Sequence, residues 1–159
     1  MTRKEQYNQL ILQIAGLIKD ETNLVGILAN VSAALHDTFP ERFFWVGFYL
    51  QEKGNMLRLG PFQGSVACYV IPFGKGVCGK AWEEGCTLIV PDVEKFPGHI
   101  ACSSLSRSEI VVQMYDASHT FRGVLDIDST RLNDFNEDDK EGLERIIELL
   151  MTETQDLFQ

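Results

Sequence analysis

Four cysteines, Cys68, Cys78, Cys86 and Cys102, fall within residues 68–109, about a quarter of the chain. Two glycine-marked signals surround them, Gly74-Lys75-Gly76-Val77-Cys78-Gly79 and Pro97-Gly98-His99-Ile100-Ala101-Cys102, and a run ending in Ser108-Glu109 follows. Thiols gathered beside loops suit redox or metal chemistry. Zinc sites use close ligand pairs, whereas the gaps here are ten, eight and sixteen positions, and His99 with Cys102 is the one close pair. Redox chemistry needs a thiolate that takes up oxygen as sulfenic acid and a second thiol that condenses with it to a disulfide. Cys78 stands near the start of an expected short helix, where unpaired N–H groups would stabilise a thiolate and lower its pKa. Cys102 stands in a Gly-Pro loop that can expose its side chain. Either could attack. Cys86, just before an expected strand, reads as a small buried hydrophobe.

Carboxylates and aromatics extend the pattern. Asp126-Ile127-Asp128 closes an otherwise apolar strand, so alternation sets both aspartates on one face and Ile127 on the other. Glu109 begins the preceding strand, and hairpin pairing would bring it to the same rim. Three converging carboxyls can bind a metal, clamp a cationic ligand, or share protons through mutual repulsion. The bland alternative is a strand end with solvated acids. Trp45 and Tyr49 share a strand face four positions apart, as core residues or as a wall of the same site.

The elements that must position these groups can be read from periodicity. Tyr7, Leu10, Ile11, Ile14, Leu17 and Ile18 form one helical stripe, and Leu24, Leu28, Val31 and Leu35 another, giving helices over about 4–37. A sheet core over about 41–130 follows. Its expected strands are 43–50, 56–62, 66–71, 87–90, 109–115 and 121–127, with a short helix at 77–84. A last helix over about 136–157 begins at Asn136, with Asp139 in an acidic first turn and Leu143, Ile146, Ile147 and Leu150 as its stripe. The chain therefore reads as one α+β domain, residues 1–159, with an about six-stranded, mostly antiparallel sheet and N- and C-terminal helices packed on it. At 159 residues, 45% of them hydrophobic and 23% charged, it is globular rather than disordered. A net charge of -9 without a basic stripe argues against nucleic acid as partner. No apolar run reaches membrane-spanning length, and the first residues lead into an amphipathic helix rather than a signal core. A cytoplasmic location with reduced thiols is the expectation.

Taken together, these motifs resemble the free methionine-(R)-sulfoxide reductases, stand-alone GAF-domain enzymes. The resemblance spans nearly the whole chain, through Trp45-Val46-Gly47-Phe48-Tyr49, Gln63-Gly64, Ala67-Cys68, and Ile71-Pro72-Phe73 leading into the Gly74 motif. It continues through Val90-Pro91-Asp92-Val93, Phe96 to Cys102, Ser108 to Val112, and Gly123-Val124-Leu125-Asp126-Ile127-Asp128-Ser129. By this resemblance Cys68, Cys78 and Cys102 are redox cysteines, and Cys86 is additional. Glu109, Asp126 and Asp128 would bind the substrate's ammonium, and Trp45 and Tyr49 would wall its methyl group. The implied activity is reduction of free L-methionine (R)-sulfoxide, with Cys102 as nucleophile, Cys68 as resolving thiol and Cys78 exchanging with their disulfide. Thioredoxin or a similar dithiol would serve as external reductant, without a bound cofactor or metal, and a homodimer is suggested. Ser65, Ser103 and Gln113 depart from the Pro, Asp and Pro that the family pattern implies, which bears on loop shape. A contrasting expectation is a GAF module that senses a small molecule or cyclic nucleotide without turnover. Clustered acids make a poor cradle for phosphate.

Overall fold

The computed structural model describes residues 1–100 and 102–158; Ala101 of the motif ending at Cys102, and Gln159 at the end of the expected domain, lie outside the described residues. Helices α1 (Arg3–Ile18) and α2 (Leu24–Thr38) lead into a hairpin of β1 (Trp45–Glu52) and β2 (Met56–Gln63). Then come β3 (Val70–Pro72), α3 (Gly76–Glu84), β4 (Leu88–Val90), a 3-10 turn at Val93–Lys95, β5 (Ser108–Tyr115), β6 (Phe121–Ser129) and α4 (Glu137–Thr154). Side chains set the helix starts. Thr2 accepts from the Glu5 amide, Asn23 accepts from Gly26, and Asn136 with Asp139 completes a reciprocal capping box. Each such cap satisfies amides the helix leaves unpaired, typically worth about 1 kcal/mol.

The six strands form one sheet in the order β3-β2-β1-β6-β5-β4, and all five neighbouring pairs are antiparallel. The expected α+β architecture holds. Period-two alternation then separates two layers. Val46 and Phe48 of β1, Ile110, Val112 and Met114 of β5, and Leu125 and Ile127 of β6 pack against α1, α2 and α4. Trp45 and Tyr49, Val111, and Val124 turn to the other face, under Val77, Cys78 and Ala81 of α3. Because β5 and the middle of β6 are covered on both sides, any polar side chain on them is buried.

A buried charge network locks the helical layer. Asp139, fully buried, accepts from Tyr7 Oη (2.7 Å), Arg3 Nη1 (2.8 Å) and Arg42 Nη2 (3.0 Å). The Arg42 guanidinium also lies over the Phe39 and Phe43 rings. The chain departs from expectation at two places here. Leu17 is exposed rather than part of the α1 stripe. The strand expected at 66–71 shrinks to Val70–Pro72, because 66–69 crosses the open face of the sheet, with Val66 88% and Tyr69 79% exposed. No helix among the described residues is long and apolar enough to cross a membrane.

Candidate active site

The face of the sheet under α3 carries all three expected acids. Glu109 pairs with Asp128 across β5 and β6, Asp128 pairs with Trp45 on β1, and Asp126 pairs with Gly47. Cross-strand partners on one face have Cβ atoms roughly 5 Å apart, so the register alone sets aromatic and acid side by side. Glu109 and Asp126 are each 5% exposed, and Asp128 is partly exposed nearer the rim. Ser106 Oγ donates to Asp128 Oδ1 at 2.9 Å, and His99 Nε2 lies 3.6 Å from Glu109 Oε1. The Trp45 and Tyr49 rings stack at 5.9 Å, and Phe62 also stacks with Trp45, at 5.1 Å. Trp45, Tyr49, the three acids, Ser106 and His99, with Cys78, Cys102, Val66, Ala67 and Ile100, line one cleft of about 530 Å³, part of it open to solvent.

Two loops close the mouth. Trp45 Nε1 donates to the Ser65 carbonyl at 3.0 Å, and Tyr49 Oη donates to the Cys68 carbonyl at 2.9 Å. Gly64, at φ 141°, permits this wrap, since a Cβ there would sit 2.6 Å from the Trp45 ring. Cys68 and Cys102 are joined as a disulfide with Cα atoms 5.6 Å apart, tying one loop to the other. Two of the three expected redox thiols thus meet in a bond, and the third, Cys78, lies free in the cleft they cover.

Burial governs the electrostatics. It raises the Glu109 carboxyl from 4.5 to about 8, with the Asp128 charge adding to it. Asp126 is pushed well above the ordinary carboxylate range by burial and then by Glu109, and Asp128 by burial and then by Asp126. With its carboxyl at about 8, Glu109 holds a proton in the cleft at neutral pH. His99 is lowered by burial.

Two expectations about the thiols need correction. The start of α3 does not lower the Cys78 pKa: the thiol is 2% exposed, and burial followed by Asp126, Glu109 and Asp128 raises it. Desolvation and three nearby carboxyls outweigh the helix N-terminus. Cys86, expected to be buried, is exposed, because Gly85 ends α3 at φ 71° and turns the chain outward. Residues that sequence reasoning missed include Phe62, Ser106 and His99 as a neighbour of Glu109. Gly47 carried a signal for Phe62, since a Cβ at 47 would lie 2.2 Å from the Phe62 Cβ. Ser106 carried none. As possible metal ligands, Cys78, Glu109 and Asp126 present donor atoms all within 4.8 Å of one another. The sulfur of Cys102, the close pair of His99 in the sequence, is committed to the disulfide.

No family model matches the chain. A yeast protein, the free methionine-R-sulfoxide reductase of Saccharomyces cerevisiae, is 42% identical over 155 residues, covering 94% of this chain and 86% of that protein. The chain belongs to the free methionine-R-sulfoxide reductase family. Another relative, GAF domain-containing protein A of Dictyostelium discoideum, is 56% identical over 149 residues, covering 94% of this chain and 92% of that protein. The solved free methionine-R-sulfoxide reductase of Neisseria meningitidis, in complex with its substrate, superposes with a TM-score of 0.93 at 45% identity. That superposition covers 98% of this chain and 92% of the Neisseria chain.

Proposed function

We propose that this protein reduces free L-methionine (R)-sulfoxide to L-methionine in the cleft between the sheet and α3. The observation that carries the reading is the Cys68–Cys102 disulfide at the mouth of a pocket floored by Glu109, Asp126 and Asp128. Substrate-bound Neisseria and named yeast relatives support it. Glu109, Asp126 and Asp128 bind the α-ammonium, which in a peptide-bound residue is replaced by a neutral backbone amide. Trp45 and Tyr49 hold the methyl group and disfavour the other epimer.

In the first step the Cys102 thiolate takes the sulfoxide oxygen while a cleft acid protonates it. Sulfur of the substrate is reduced by two electrons, and Cys102 becomes sulfenic acid. Glu109, protonated at neutral pH, is suited to donate. The Cys68 thiol then attacks the sulfenic sulfur, forming the disulfide and releasing water. Cys78, held protonated, is the weaker initial nucleophile and exchanges with that disulfide later. An external dithiol of the thioredoxin type restores both thiols, which fits a reducing, cytoplasmic setting. Residues 1–159 act as one domain, and the amphipathic α1 leaves room for a homodimer.

The test is thioredoxin-coupled turnover of the free (R) and (S) epimers beside a peptide-bound sulfoxide. Turnover confined to the free (R) form is expected, and equal turnover of the peptide refutes the ammonium site. Single-turnover reaction of the Cys102→Ser protein checks the nucleophile. One equivalent of methionine formed without Cys102 would remove it from that role. For the acids, Glu109→Gln and Asp126→Asn should separate, one lowering kcat and the other raising KM. A purely KM-raising effect in all three acid variants would remove the proton donor.

A further inference from the structure

The floor of the cleft has the donors of a metal site as well as those of an ammonium clamp. A sulfur ligand from Cys78 and one carboxylate oxygen each from Glu109 and Asp126 come within 4.8 Å of one another. In a closed tetrahedral zinc site such ligand atoms stand about 3.5 Å apart, so closing by roughly 1 Å would complete three corners. His99 Nε2, 3.6 Å from Glu109 Oε1, is at hand for the fourth. Independently of this cluster geometry, Asp126 Oδ1 is buried with no hydrogen-bond partner, on a residue 95% removed from solvent and lining the cleft. A buried orphan oxygen is costly, about 1–3 kcal/mol, unless something binds it. The mixed sulfur, nitrogen and oxygen set favours a borderline-soft ion over calcium or magnesium, which take oxygen alone.

We propose that Cys78, Glu109 and Asp126, with His99 at the rim, form a binding site for a thiophilic divalent cation of the zinc type, which occupies the position of the substrate's ammonium and blocks the cleft. The ion binds the disulfide form, in which Cys78 is the one free thiol lining the cleft among the described residues. On binding, the thiol and carboxyl protons pass to solvent, a Cys78–metal bond forms, and no redox change occurs. Holding Cys78 in this way also stops it from attacking the Cys68–Cys102 bond. The blocking role rests on the reductase reading above; the site itself does not.

The experiment uses the oxidised full-length protein and Co²⁺ as spectroscopic probe, without turnover. One equivalent of Co²⁺ should give a near-ultraviolet thiolate-to-cobalt band that Zn²⁺ bleaches. Cys78→Ser should abolish the band, and Asp126→Asn should keep it but weaken the affinity about tenfold or more. Cys86→Ser should leave it unchanged. Absence of a band in the unaltered protein, its survival in Cys78→Ser, or its loss in Cys86→Ser overturns the site. The arm for the shared position is separate and uses the same oxidised protein: excess free methionine sulfoxide should displace Co²⁺ and lower the band, and a band that excess sulfoxide leaves unchanged overturns the shared position. Cobalt binding in a protein without reductase activity would sink the reductase reading and leave the site standing.

Discussion

Glu109→Gln isolates the cost of holding a proton in the cleft. Glutamine has the shape of the neutral acid but cannot ionise. In the folded protein Glu109 sits at about 8, against 4.5 ordinarily. Its pKa is raised, so between these values the folded state holds a proton that the unfolded chain has lost. The contribution to stability is full below 4.5 and disappears as pH rises through 8. The slope is about 1.4 kcal/mol per pH unit for one proton, or roughly 2.5 kcal/mol between pH 5.5 and 7.5. Urea denaturation of the oxidised protein at pH 5.5, 6.5 and 7.5 measures it. The unaltered protein should lose stability across this range by about that much more than Glu109→Gln. Because Asp126 and Asp128 are raised too, the difference between the two proteins is the quantity to compare. Parallel pH profiles would mean that Glu109 is ionised in the fold. It could then donate no proton at neutral pH, and the assignment of the acid would fall with it.

Three further outcomes follow from the packing. Asp139→Asn removes the charge that Arg42 and Arg3 share with Tyr7 and should cost about 3–5 kcal/mol, read as a lower urea midpoint. Gly142→Ala drives a Cβ to 2.3 Å from the Tyr7 ring, between α4 and α1, and should cost about 1–3 kcal/mol by the same measurement. Tyr49→Phe loses the bond to the Cys68 carbonyl. It should destabilise by about 1 kcal/mol and speed amide exchange at 66–69 more than in the sheet.

The sheet and its acids were legible because both obey short periods. Asp126 and Asp128 were assigned to one face by alternation, and the β5–β6 register delivered Glu109 beside them. Trp45 and Tyr49 followed the same rule despite a bulge opposite 47–49 in the pairing with β2. What failed was anything decided by a long-range neighbour. Cys78 does stand at a helix start, but nothing local reveals that three carboxyls lie under it. Residues 66–69 are apolar enough to read as strand. They are drawn across the cleft instead by hydrogen bonds from Trp45 and Tyr49, some twenty residues earlier. Asp139 read as an ordinary first-turn acid, and its burial depends on Arg42 and Tyr7, far away in the chain. Gln113, which departs from the family pattern, donates to the Ala81 and Cys86 carbonyls and so braces the end of α3 against β5.

The Cys68–Cys102 bond has a consequence for heat resistance. Its sequence separation of 34 closes a ring that carries β3, α3 and β4. Constraining an unfolded chain by a ring of that length is worth about 4 kcal/mol in the loop-entropy account. At roughly 2–4 °C per kcal/mol for a chain of this size, the oxidised protein should melt on the order of 10 °C above the reduced one. The cycle proposed above, which makes and breaks this bond, would swing the fold between a hardened and a softened form at every turnover. The vulnerable form is the one charged with thiols and awaiting substrate. Oxidant and heat arriving together would act in opposite directions on the same molecule, the first protecting it from the second.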